Sequence, residues 1–157
     1  MKKFVVTMAV GTLLPVPAIA QSLHLVCVGG GEGNRAAVVS AYGQDNHGNS
    51  AWGQVIGQRA VPFDDQVNIE LNDDGTGRVR MPRVMLPPLH GGSDGWFALK
   101  NIRRTDDEIT GTVQVNFINS PKLRLDRTTG RISIAGKAGN YSGECQSYNP
   151  ATLVRKF

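Results

Sequence analysis

Between Ile109 and Phe117 apolar and polar residues alternate without a break. Ile109, Gly111, Val113, Val115 and Phe117 fall on one side, and Thr110, Thr112, Gln114 and Asn116 on the other. A period of two belongs to a half-buried β-strand and does not fit the 3.6-residue period of a helix. The pattern continues downstream. Ile118-Asn119-Ser120-Pro121 reads as a turn, after which Leu123 and Leu125 point inward between Lys122, Arg124 and Asp126. Arg127-Thr128-Thr129-Gly130 makes the next turn, with Gly130 free to take a positive φ. Ile132 and Ile134, then Tyr141, Gly143 and Cys145, complete a four-stranded antiparallel meander.

The middle of the chain repeats the arrangement. Val67, Ile69 and Leu71 alternate with Asn68 and Glu70, Asn72-Asp73-Asp74-Gly75 is a hairpin signal, and Val79 and Met81 return with Arg78 and Arg80 outward. Trp96 to Ile102 is a further strand, and Leu23, Leu25 and Cys27 share a face near the start. Helical periodicity is absent apart from a short turn near Met85. The predicted fold is therefore all-β: a small antiparallel meander or barrel of about eight strands, with a two-sheet sandwich as the alternative. Cys27 and Cys145 both have inward parity on the first and last strands, which is what a disulfide tying those strands together requires. That pairing favours closure into a barrel, which removes exposed edges.

The N-terminus reads as an export signal. Lys2 and Lys3 precede the apolar run Phe4 to Leu14, and Ala18-Ile19-Ala20 is a small-x-small cleavage site, so 1–20 is the expected signal peptide and 21–157 a single β domain. The apolar run is far shorter than the ~20 residues needed to span a bilayer, and a membrane-spanning protein is not expected. His24-Leu25-Val26 before Cys27 lacks the small residue expected ahead of a lipid-modified cysteine. A periplasmic or secreted location follows. The chain carries a net charge of +4, but two of its cations are Lys2 and Lys3, so the domain itself is only weakly basic and nucleic acid is not an expected partner. Aromatics at 6% and the charged Arg155-Lys156 beside Phe157 argue against an outer-membrane barrel.

Two stretches break the pattern. Gly29 to Gln58 is rich in Gly, Asn, Gln and Ser and reads as a weak strand pair with a long mobile loop. Pro82 to Gly95 is a Pro/Gly-rich connection of the length that often carries function. In it, His90, Ser93 and Asp94 lie close to Trp96, and these four residues form the expected ligand-binding group if the loop rims a pocket. Arg78, Arg80, Arg124 and Arg131, with Lys122 and Arg127, take outward positions and define a candidate basic face for an anionic glycan, a lipid head group or an acidic envelope protein. Other motifs fail on context. Gly31-Glu32-Gly33-Asn34-Arg35-Ala36 has the G-x-G-x-x-A form without the strand–helix setting of a nucleotide site. His90-Gly91-Gly92-Ser93 lacks the G-x-S-x-G partner of an esterase. His24, His47 and His90 show no metal-ligand spacing, so neither metal nor cofactor is expected.

Several segments carry a resemblance: Phe63-Asp64-Asp65-Gln66-Val67, Gly77-Arg78-Val79-Arg80-Met81-Pro82, Asp94-Gly95-Trp96-Phe97, Leu123 to Gly130, Gly143-Glu144-Cys145 and Arg155-Lys156-Phe157. In these the chain resembles a set of small exported proteins of Gram-negative bacteria with no known activity. The resemblance spans most of residues 21–157 and implies one exported domain; it brings no activity, cofactor or site residue with it. The expected function is a non-catalytic binding or interaction module of the cell envelope. A small hydrolase-like enzyme centred on His90 and a structural envelope protein using its basic face are the alternatives.

Overall fold

The computed structural model describes residues 22–152. The expected signal peptide, 1–20, and the Arg155-Lys156-Phe157 ending lie outside the described residues. Eight strands follow one another: β1 (Leu23–Gln44), β2 (Ser50–Leu71), β3 (Gly77–Arg80), β4 (Trp96–Arg104), β5 (Glu108–Val113), β6 (Lys122–Asp126), β7 (Arg131–Gly136) and β8 (Gly139–Ser147). Each is antiparallel to its predecessor, and β8 pairs with β1, so the meander closes into a barrel. The inward residues of every strand meet in one core that includes Val67, Ile69, Leu71, Val79, Phe97, Leu99, Leu123, Leu125, Ile132, Ile134 and Tyr141. Period-two burial therefore sets the fold, as the alternation requires. At the closing seam Cys27 stands opposite Cys145, and the two form a disulfide across β1 and β8.

Turn chemistry fixes the register. At three of the hairpin turns an aspartate accepts backbone N–H groups: Asp45 from His47 and Asn49, Asp74 from Thr76, and Asp126 from Thr128 and Thr129. These bonds hold all three carboxyls below the usual carboxylate range. The leading cause is the Asn49 side chain at Asp45, the Thr76 side chain at Asp74 and the Thr129 backbone at Asp126. Gly48, Gly75 and Gly130 supply the positive φ each of these turns needs.

The structure departs from the sequence reading in two places. The Gly29–Gln58 stretch holds the expected strand pair but no long loop. It is the greater part of an unbroken strand pair running in register from Leu23↔Leu71 to Gln44↔Ser50, reversed only by the tight turn after Gln44. The glycines at its start are strand residues placed where β8 passes close by: a Cβ at Gly31 would strike the Asn140 carbonyl and the Tyr141 backbone. Second, the Ile109–Phe117 alternation does not form one strand. β5 ends at Val113, the Gln114 N–H donates to the Ala98 carbonyl, and the Asn116 side-chain oxygen accepts the N–H groups of Ile118 and Asn119. The chain turns there, leaving Val115 buried but Phe117 96% exposed.

Past Gly33, β1 leaves its pairing with β8, and before Asn68, β2 has no pairing with β3. The far halves of β1 and β2 therefore leave the barrel wall together as a two-stranded ribbon. No residue from Ala36 to Gln44 or from Ser50 to Gln58 is charged. Val38, Tyr42, Trp52 and Ile56 share one face of the ribbon at 65, 54, 77 and 83% exposure.

Candidate functional site

The β2–β3 pairing ends at Asn68↔Arg80, and from there the two chains diverge. β2 continues toward the ribbon. The other chain turns through Pro82 and a short 3-10 turn at Arg83–Met85, then returns along the 86–95 connection, which the Met81 N–H closes by donating to the Gly95 carbonyl. Between them lies a cleft of about 910 Å³, walled by Met81, Leu86, Pro87 and Pro88, with Arg35, Arg80, Arg83, His90, Asp65 and Asp94 as its ionisable groups.

Four arginines gather around the foot of the ribbon. Arg35 stands directly across the strand pair from Arg59, an arrangement of like charges that destabilises a sheet unless something compensates it. The Arg35 guanidinium donates to the Arg83 carbonyl at 3.0 Å, which brings the 3-10 turn up against β1. Among the described residues the only ion pairs are Arg78–Glu70 and Arg124–Glu108, so Arg35, Arg59, Arg80 and Arg83 have no carboxylate within pairing distance. Of the two carboxylates in the cleft, that of Asp65 accepts the N–H of Gln66. His90 Nδ1 lies 2.8 Å from the Gly91 carbonyl, which can only accept. That contact makes Nδ1 the donor to the carbonyl. Phe97 meets the imidazole edge-on.

The structure thus brings His90 and Asp94 of the expected ligand-binding group into one cleft, together with Arg80 from the expected basic face. Ser93 and Trp96 stand apart from it. They exchange two backbone hydrogen bonds across the turn carrying Asp94, whose φ of 52 is left-handed, and the Trp96 ring lies 4.6 Å from the Arg78 guanidinium. The remaining basic residues do not merge into a continuous patch. Arg78 pairs with Glu70, and two strands separate β3 from β6. Arg124 and Arg131 line a shallow groove on the outer face of β6 to β8 and β1, interleaved with Asp126 and Glu144.

Arg35 and Arg83 are not candidates on sequence grounds, because their convergence depends on where β2 parts from β3. The one trace of Arg35 in the sequence is its place, with Arg59, at the ends of the two uncharged runs. Inside the barrel mouth, the Tyr141 hydroxyl reaches the carbonyls of Cys27 and Asp65 at 3.0 and 3.2 Å, and burial pushes it up to about 12, with the nearby Asp65 charge adding to the shift. Among the described residues no cluster of His, Cys, Asp and Glu has the grouping to hold a metal ion, and no helix is long and apolar enough to cross a membrane. The chain matches no known protein-family model, no curated protein and no solved structure.

Proposed function

We propose that this chain is an exported, non-catalytic binding module of the cell envelope, and that its ligand is anionic and held in the cleft at the foot of the ribbon. The observation that carries this reading is the excess of unpaired guanidinium groups there: Arg35, Arg80 and Arg83 line one cleft, and none has a carboxylate partner among the described residues. The planar fork of a guanidinium suits phosphate and carboxylate groups, and the apolar wall of Leu86, Pro87 and Pro88 suits the uncharged part of a sugar or lipid head group.

The test is calorimetric titration of the chain from Gln21 onward with glycerol phosphate and glucosamine phosphate, each against its unphosphorylated counterpart. The phosphorylated compounds should bind and the neutral ones should not. Arg83→Gln should weaken binding by roughly tenfold, the value of one charge-assisted hydrogen bond. Equal binding of charged and neutral compounds, or an unchanged affinity in Arg83→Gln, would count against the reading. His90 and Asp94 line the same cleft, so the hydrolytic alternative is open to the same experiment: it requires turnover of the bound compound that His90→Ala abolishes, whereas a binding module leaves the compound intact.

A further inference from the structure

We propose that the ribbon is the pairing edge of a symmetric dimer, in which the outer edge of β1 from Arg35 to Gln44 adds to the same edge of a second copy of this chain. The inference goes beyond the ligand cleft and shares only Arg35 with it.

A two-stranded ribbon with both faces in water is marginal on its own, and its unpaired backbone groups are a template for another strand. Natural edges are usually protected by charge, by proline or by a bulge. Protection of this kind is found only at the foot of the ribbon. The free edge of β2 carries Arg59, Pro62, Asp64 and Asp65, and proline cannot donate to a neighbouring strand. The free edge of β1 is Ala36-Ala37-Val38-Val39-Ser40-Ala41-Tyr42-Gly43-Gln44, with neither charge nor proline. The stretch of β2 that faces it, Ser50–Gln58, is equally free of charge and proline, so the two edges are told apart by their ends: self-pairing of β2 about Gln54 would set Arg59 against the uncharged Asn49.

The β1 edge is complementary to itself. Antiparallel pairing about a two-fold axis at Ser40 sets Val38 opposite Tyr42 of the second copy and Ser40 opposite its own equivalent. It also sets Arg35 opposite Asp45 of the second copy at each end, so unlike charges bracket the uncharged run. Every pair in this register joins residues of the same parity, so the Val38–Tyr42 face of one ribbon continues into that of the other. A two-fold contact of this kind is isologous and closes at two copies, producing a four-stranded sheet from two marginal ribbons. A lipid surface fits less well, because the exposed Val38, Tyr42, Trp52 and Ile56 lie on the face opposite to Arg35 and Arg59.

The experiment is sedimentation equilibrium of the chain from Gln21 onward, which contains the whole barrel, beside Ser40→Lys and Ser40→Glu. Ser40 is exposed and touches no core residue, so both variants should keep the unfolding transition of the parent. The parent should be a dimer. Each variant alone sets like charges against each other across the axis and should dimerise about tenfold more weakly. An equimolar mixture of the two should regain the parental affinity. A monomeric parent, a Ser40→Lys variant as dimeric as the parent, or a mixture no stronger than its components would each overturn the proposal. Ser40 does not line the cleft, so titration of the same variants with glycerol phosphate reads the cleft separately from the dimer.

Discussion

Two residues of the seam show how local contacts decide global stability. Tyr141 fills the barrel mouth, and its hydroxyl is shared between the carbonyls of Cys27 on β1 and Asp65 on β2. Tyr141→Phe keeps the ring and leaves those carbonyls without the donor, so it should cost about 1–2 kcal/mol in urea unfolding at neutral pH. The pH dependence has a definite sign. The phenol titrates near 10.0 in the unfolded chain and is pushed up to about 12 in the fold, so its contribution is whole below pH 10 and disappears as pH rises through 12. The parent should lose stability over that alkaline window more steeply than Tyr141→Phe does. Gly31 acts by what it lacks. Gly31→Ala would drive a methyl group into the β8 backbone and should cost about 1–3 kcal/mol, whereas Gly43→Ala, whose Cβ meets open space on the ribbon, should stay within about 0.5 kcal/mol of the parent.

Among the elements, the ribbon separates what folds the barrel from what extends beyond it. No core residue lies between Ala36 and Gln58. Replacing that segment with an Asn-Gly turn should therefore leave barrel stability within about 1 kcal/mol, measured by denaturant unfolding with an unchanged transition slope. The same replacement should abolish dimerisation. The contrast also explains which elements were legible in the sequence. β2 near Val67–Leu71, β3, β6 and β7 were readable because one face is buried and the other wet, and that difference is what writes the alternation. The ribbon has both faces in water, and its small residues carry no such contrast, so Gly29 to Gln58 reads in the sequence only as a weak strand pair with a long loop. The Phe117 error has a different origin. The alternation persists through Asn116, but the Asn116 side chain caps the next N–H groups and overrides it, a short-range competition that periodicity does not register. For the cleft, His90 and Asp94 were visible as a polar group in a long loop, while Arg35 and Arg83 are separated by 48 positions and meet only through the divergence of two strands.

At the level of the whole molecule, closure of the barrel is the costliest step and the disulfide bears directly on it. Every other strand pair joins neighbours in sequence, but β1 and β8 must find each other from opposite ends of the chain. Cys27 and Cys145 are 118 residues apart, a separation for which chain-entropy arithmetic assigns about 4–5 kcal/mol to the crosslink, with real bridges often lower. The seam holds more than the bridge. Nine paired positions join β1 to β8, and Tyr141 ties the end of β8 to both β1 and β2. The double substitution Cys27→Ala and Cys145→Ala should therefore leave a folded barrel that is less stable by about 2–5 kcal/mol. Where that loss arises can be measured. If the bridge acts by restricting the unfolded chain, its removal lets that chain expand, so the urea transition slope should rise while native amide exchange along β1 and β8 stays slow. If the bridge instead holds a strained seam shut, the slope should stay constant, and exchange should quicken selectively at the β1–β8 pairing from Leu25 to Gly33. The regular one-to-one register across the seam favours the first outcome: the strands already meet in phase, and the crosslink shortens the search for a pairing that the rest of the barrel has prepared.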